Sequence, residues 1–188
     1  MDYSIVNKTP DVAQATVGHF VDANGNAVPQ SASAPAPVAG NPTVRFNVTP
    51  TVTSGSAYAS GNAVGALLSF GTGFLRVSGG GGILQSAVLF DKSGNNVSYD
   101  LFLFDSAPTA PTDKAAYAIG TDLAKAIGSI SFAGMINAGT PGLINADGLG
   151  KAIKAASGTT LYGVLVTRGA PTYAGAADLA ITLVFLPD

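Results

Sequence analysis

The chain is 188 residues long with a formal net charge of −2, and 47% of it is hydrophobic against 11% charged. Its nine Lys and Arg residues stand singly and form no basic stripe to displace counterions from a nucleic-acid backbone, so no nucleic-acid partner is expected. No apolar run reaches the roughly 20 residues that span a bilayer, which sets aside a membrane helix and sends the apolar content into a core or a subunit contact.

The inventory of reactive side chains is thin. All 11 acidic residues are Asp, Cys and Trp are absent, and there is one His. Disulfides and thiolate metal sites are therefore excluded, and general acid, base and nucleophile candidates are few. The expectation is a non-enzymatic packing protein without catalytic, cofactor-binding or metal-binding residues and without a cofactor.

In chain order, Met1 to Pro10 lacks the basic start and apolar stretch of a secretory signal. His19 follows, with no Ser and Asp grouping that would make it catalytic, and reads as a surface or subunit-contact histidine. Ala15 to Val21 and Ala27 to Val28 flank Asn24-Gly25, a short hairpin signal because both residues tolerate positive φ. Gln30 to Pro42 is a Pro, Ala and Ser run that discourages helix and central strand alike. Residues 1–42 thus form an N-terminal arm with a small hairpin and a Pro/Ala-rich linker, and a globular domain occupies 43–188.

Within that domain the apolar patterning predicts strands over Thr43 to Val52, Ala63 to Phe70, Ile83 to Phe90, Val97 to Phe104, Ile127 to Phe132, Leu161 to Thr167 and Leu179 to Leu186. Pro50 assigns the first to a sheet edge. Ile83 to Phe90 and Val97 to Phe104, joined by Asp91 to Asn96, read as the clearest hairpin. Short helices are expected at Asp113 to Ile119, capped by Thr112, and at Asp122 to Ala126 and Gly150 to Ala156. None could form a layer, so the fold class is all-β, an antiparallel jelly-roll-like β-sandwich with short helices and an extended N-terminal arm.

Four features invite a chemical reading. Asp91 to Asn96, like Asp22 to Asn26, spaces oxygen ligands as a hard cation requires, yet Asp, Ser, Gly and Asn are also turn residues, and the turn is the expectation. Gly79 to Gly82 lacks the Lys-Ser or Lys-Thr of a phosphate loop, and reads as a bent lead-in to a strand that permits close backbone approach. Asp100 occupies an alternate strand position and is expected to point outward, while Asp105 and Asp113 bracket a Pro-rich turn. Tyr58, Tyr99, Tyr117, Tyr162 and Tyr173 offer either stacking surfaces for a carbohydrate or packing at the core edge.

Tyr58 to Gly65 (YASGNAVG), Gly82 to Asp91 (GILQSAVLFD), Asp100 to Pro108 (DLFLFDSAP) and Thr112 to Tyr117 (TDKAAY) together resemble a family of small virion proteins of tailed bacteriophages. Those are head decoration or auxiliary capsid components, and the likeness extends over about Thr49 to Phe132. The resemblance implies a β-sandwich on the exterior of the capsid. Its partners would be the major capsid protein and further copies of itself in a homo-oligomer such as a trimer, with an arm or loop reaching neighbouring subunits. The alternative is a binding module of a virion or cell surface, an adhesin or carbohydrate-binding sandwich.

Overall fold

A computed structural model of the chain describes residues 20–21, 27–28, 43–71, 73–137 and 141–188. The chain divides between Gly40 and Asn41. In the first part β1 (Phe20–Val21) pairs antiparallel with β2 (Ala27–Val28), Phe20 opposite Val28 and Val21 opposite Ala27, which is the expected small hairpin. His19, Asp22 to Asn26 and the Gln30 to Pro42 linker lie outside the described residues.

The second part is a sandwich of two antiparallel sheets. Sheet I runs β3 (Val44–Val48), β12 (Leu179–Pro187), β5 (Gly81–Asp91), β9 (Gly142–Ala146) and β8 (Ile136–Asn137), with β10 (Lys151–Lys154) also on β5. Sheet II runs β4 (Leu68–Ser69), β11 (Tyr162–Thr167), β6 (Tyr99–Phe104) and β7 (Ala126–Phe132). Strand β5 carries an irregularity that leaves Gln85 unpaired with β12, since Val184 faces Ser86 and Phe185 faces Leu84. The Gln85 carbonyl instead accepts the Leu149 amide at 2.9 Å, and the bulge divides one side of β5 between β10 (residues 81–84) and β9 (residues 87–91).

Alternation sorts the side chains. Leu84, Ala87 and Leu89 from β5 and Leu179, Ile181, Leu183 and Phe185 from β12 face Leu101, Leu103, Ile130, Phe132 and Leu165 across the interior, all buried. Each of the Leu, Ile and Phe side chains contributes about 1.5–3 kcal/mol by leaving water. Strand β11 has no exposed alternation because its outer face is covered too. Residues 61–64 run beside it, with Ala63 bridged to Val166, and Asn62 is in turn bridged to Ala116. This strip closes a second cluster of Ala63, Phe104, Val164 and Val166, which explains why YGVLVT reads as an unbroken apolar run.

Three expectations are corrected. The segments around Asp91 to Asn96 form no hairpin, because β5 pairs with β12, β9 and β10 while β6 pairs with β11 and β7; the loop is an arch between sheets. Both strands bury one face against the other sheet, and each has stronger partners than its neighbour in sequence. The helix at Asp113 to Ile119 is replaced by a turn and an extended stretch. Lys114 takes φ 65°, the Ala115 amide bonds back to the Thr112 carbonyl, and residues 114–117 hydrogen-bond to 61–63. Gly150 to Ala156 supplies strand β10 rather than a helix, its Ile153 buried, its Lys154 exposed on the opposite face and its half-buried Lys151 on the Ile153 side. Only the segment near Asp122 is helical as expected, as a single 3-10 element at Gly120–Lys125.

Candidate functional site

Long irregular segments, 49–67, 105–119 and 168–178, enclose one end of the sandwich, and polar side chains fasten them. Asp113 is the hub of the first cluster. Its carboxylate accepts from the Thr53 amide (3.0 Å) and hydroxyl (2.7 Å), from the Gly65 amide (2.6 Å) and from the Tyr58 hydroxyl (2.8 Å). The Thr53 amide also donates to the Tyr58 oxygen at 2.8 Å. Burial pushes the Asp113 carboxyl up, but these donors outweigh it and hold it below the ordinary carboxylate range. Burial and its bond to Asp113 push the Tyr58 hydroxyl up to about 12, so it remains a donor. Lys114 lies over the Tyr58 ring, 5.7 Å from its centroid, and bonds the Ser56 hydroxyl.

The second cluster adjoins the first through the edge-to-face rings of Tyr58 and Tyr173, 5.4 Å apart. The Tyr173 and Tyr99 hydroxyls meet at 2.9 Å, and Tyr99 donates to Asp91 at 3.4 Å. Asp91 is fully buried. It accepts the amides of Ser93 (2.8 Å) and Asn95 (3.2 Å) and the Asn95 side chain (3.1 Å). Burial raises its carboxyl despite those donors. The Asp91 to Asn96 segment thus has the turn chemistry expected of it: its carboxylate is saturated by the loop's own N–H groups. Beside it, Ser93 donates to Asp178 at 2.6 Å, and Asp178 also accepts the Ala174 and Gly175 amides at 3.0 and 2.9 Å, which ties the arch to the 168–178 loop.

The other candidate residues serve separate neighbours. Asp100 points outward as expected and holds Ser131 and Arg168, each at 2.7 Å. Asp105 accepts from Ser106 while Asp113 serves Tyr58, so the structure gives the two carboxylates different work. Of the five tyrosines offered as stacking surfaces, Tyr58, Tyr99 and Tyr173 are buried and present no ring face to a ligand. Tyr117 and Tyr162 are half-buried on the outer face of sheet II, with Tyr117 5.7 Å from Phe102. Sequence reasoning named Tyr58 and Asp113 but not their pairing, and it missed Asp178 and Arg168; nothing in the local spacing signals partners 55 or 85 residues apart.

Chemically the two clusters tie loops together. Hydroxyls donate and carboxylates accept backbone amides, and in the lysine–hydroxyl contact of these clusters, Lys114 to Ser56, the ammonium donates to the hydroxyl rather than acting as its base. Among the described residues no group of three or more His, Cys, Asp or Glu is placed to hold a metal ion.

The surface has two other marked features. A depression of about 620 Å³ is lined by Gly79 to Ile83, Arg76, Lys154 and Asp188. The glycine run exists for close approach, as expected: a Cβ on Gly82 would lie 2.4 Å from both the Leu186 carbonyl and the Phe185 ring. Val77, Leu123 and Ile136 are more than half exposed, at 64%, 65% and 54%, and they stand on different segments.

No family model matches the chain, and no curated protein matches it. Among solved structures it is similar to a chain from Desmodium yellow mottle tymovirus, with 15% identity over 86% of this chain and 95% of that one and a TM-score of 0.26.

Proposed function

We propose that the chain is a structural virion protein of a tailed bacteriophage that binds the outer surface of the head and reinforces it, acting without making or breaking bonds. The observation that carries this reading is where the four segments of the resemblance lie. Tyr58 to Gly65 and Thr112 to Tyr117 are joined through the Asp113 hub and the Asn62–Ala116 bridge. Gly82 to Asp91 is the long central strand of sheet I, and Asp100 to Pro108 begins within β6. The likeness therefore falls on framework and loop fastening, as a packing protein requires, rather than on a reactive site.

The mechanism is distributed burial. A contact of ordinary size, on the order of 1,600 Å² in total, holds a partner, and many copies on one shell gain further through multivalency. The partners are the major capsid protein and other copies of this chain, and residues 1–42 are the reaching segment that contacts a neighbouring subunit. The test is co-sedimentation of the full chain with phage heads lacking it, followed by thermal challenge of the heads. Saturable binding that delays head rupture is expected, and weaker binding when residues 1–42 are removed. Absence of binding to heads would overturn the reading.

A carbohydrate-binding alternative rests on Tyr117, Tyr162 and Phe102, the aromatic rings half-buried on the outer face of sheet II. Glycan-array binding by the full chain, abolished by Tyr117→Ala, would favour it.

A further inference from the structure

Strand β3 ends sheet I and, among the described residues, pairs only with β12. Arg45 and Asn47 are exposed, whereas Val44, Phe46 and Val48 are half-buried against the core, with the Phe46 ring 4.6 Å from that of Phe74. The core is thus open along this border. Sheets ordinarily protect such borders with short strands, proline, bulges or inward charges, and the other strand borders have such devices. Strands β4 and β8 are two residues long, β10 carries an inward-side charge in Lys151, on the same face as Ile153 and reaching Gly128, and β7 is paired through a register shift opposite Leu103 and Phe104. Strand β3 has five regular residues, no proline and no inward charge.

We propose that β3 is a self-association strand, pairing antiparallel with β3 of a second copy about a two-fold axis at Phe46. The sequence VRFNV is self-complementary in that register. Val44 falls opposite Val48 and Arg45 opposite Asn47, so arginine never meets arginine, and the half-buried Val44, Phe46 and Val48 of both copies join into one apolar strip. A register centred on Arg45 would set the two arginines face to face, and one centred on Val44 or Val48 would leave most of the strand unpaired. An isologous contact of this kind closes as a dimer. A pair of five-residue strands is smaller than a standard interface, so the contact is weak in free solution and gains strength where a shell holds copies side by side. The proposal stands whether or not the partner shell is a phage head.

The absence of Cys makes introduced thiols the only ones. Directly opposite residues in an antiparallel pair have Cα atoms about 4.5–5.5 Å apart, within disulfide reach, whereas diagonal ones stand about 7–8 Å apart. Full-length Arg45→Cys and Asn47→Cys chains, mixed and oxidised, should form a covalent dimer on a non-reducing gel, at least about tenfold more than either variant alone. Both positions are exposed, so folding is not at risk. No dimer in the mixture, or equal dimer in the single-variant samples, would overturn the proposal. Independently, Asn47→Arg puts like charges opposite each other twice and should weaken dimerisation by about tenfold in sedimentation while the chain stays folded, its melting temperature lowered only slightly by loss of the exposed bond from the Thr182 hydroxyl. Adding Arg45→Asn to that variant should restore it. Dimerisation unaffected by Asn47→Arg would also overturn the register.

Discussion

The hydroxyl of Tyr99, at the start of β6, lies 2.9 Å from that of Tyr173, in the loop before β12, and both side chains are buried. One hydroxyl must donate to the other, and Tyr99 also reaches Asp91, so the order of donation runs from Tyr173 through Tyr99 to the carboxylate. Burial raises both hydroxyls above their ordinary range.

Removing one hydroxyl should therefore have unequal effects. Tyr173→Phe leaves the Tyr99 to Asp91 bond in place and should cost about 1 kcal/mol, while Tyr99→Phe strands partners on both sides and should cost about 2 kcal/mol. The double variant should cost less than the sum, because the bond between the two hydroxyls is lost only once. Urea denaturation of the three variants measures this, and additive costs would refute the chain.

Asp113→Asn replaces a carboxylate oxygen with an amide donor facing other donors. We expect a loss of about 1–3 kcal/mol at neutral pH, with increased proteolysis in the 49–67 and 105–119 segments that the carboxylate fastens. Because hydrogen bonds hold this carboxyl below its ordinary range, its contribution is present above the unfolded value of about 3.9 and is lost as pH falls through the lower folded value. The stability gap between wild type and variant should accordingly close on acidification.

Asp91 has the opposite sign. Its folded carboxyl is raised by burial, so between the unfolded and folded values the native chain binds the extra proton and stability declines with rising pH. Asp91→Asn removes that decline. The melting temperature of the variant relative to wild type should rise as pH increases from about 4 and then level off; a constant difference would contradict the assignment. The bulk acid limb should still be set by Asp113, Asp122 and Asp178, all held low by their donors.

Two glycines separate crowding from conformation. Gly148 has φ +63° with nothing within 4 Å of an added Cβ, so Gly148→Ala should cost only the left-handed penalty of about 1–2 kcal/mol, a fall of about 2–8 °C for a chain of this size. Gly82→Ala places a methyl 2.4 Å from the Leu186 carbonyl and the Phe185 ring and should cost about 3 kcal/mol or more. Differential scanning calorimetry distinguishes them, and equal losses would contradict the packing account.

Most of the strands were legible because each buries one face and so alternates, as β3 and β12 do. Strand β11 was legible for the opposite reason, being covered on both sides. Pairing was less so. Asp91 to Asn96 has the same turn residues whether it links neighbours in one sheet or arches between two, and only the partners of β5 and β6 decide. Strand β10 was misread because KAIK suits a helix by propensity, and the choice was made by Ile153 reaching the interior beside β5. Asp113 was read as a helix start because Thr-Asp precedes an Ala-rich run. The distant Tyr58, Thr53 and Gly65 claim its carboxylate first, and contacts of that separation leave no local pattern.

Strand β12 is translated after every other described strand, yet it lies inside sheet I, between β3 and β5. While the nascent chain emerges from the ribosome, β3 and β5 have no common partner, and the apolar faces of two unjoined strands await a segment not yet made. Insertion of β12 is then the step that commits the sheet, which makes folding slow in proportion to so distant a pairing.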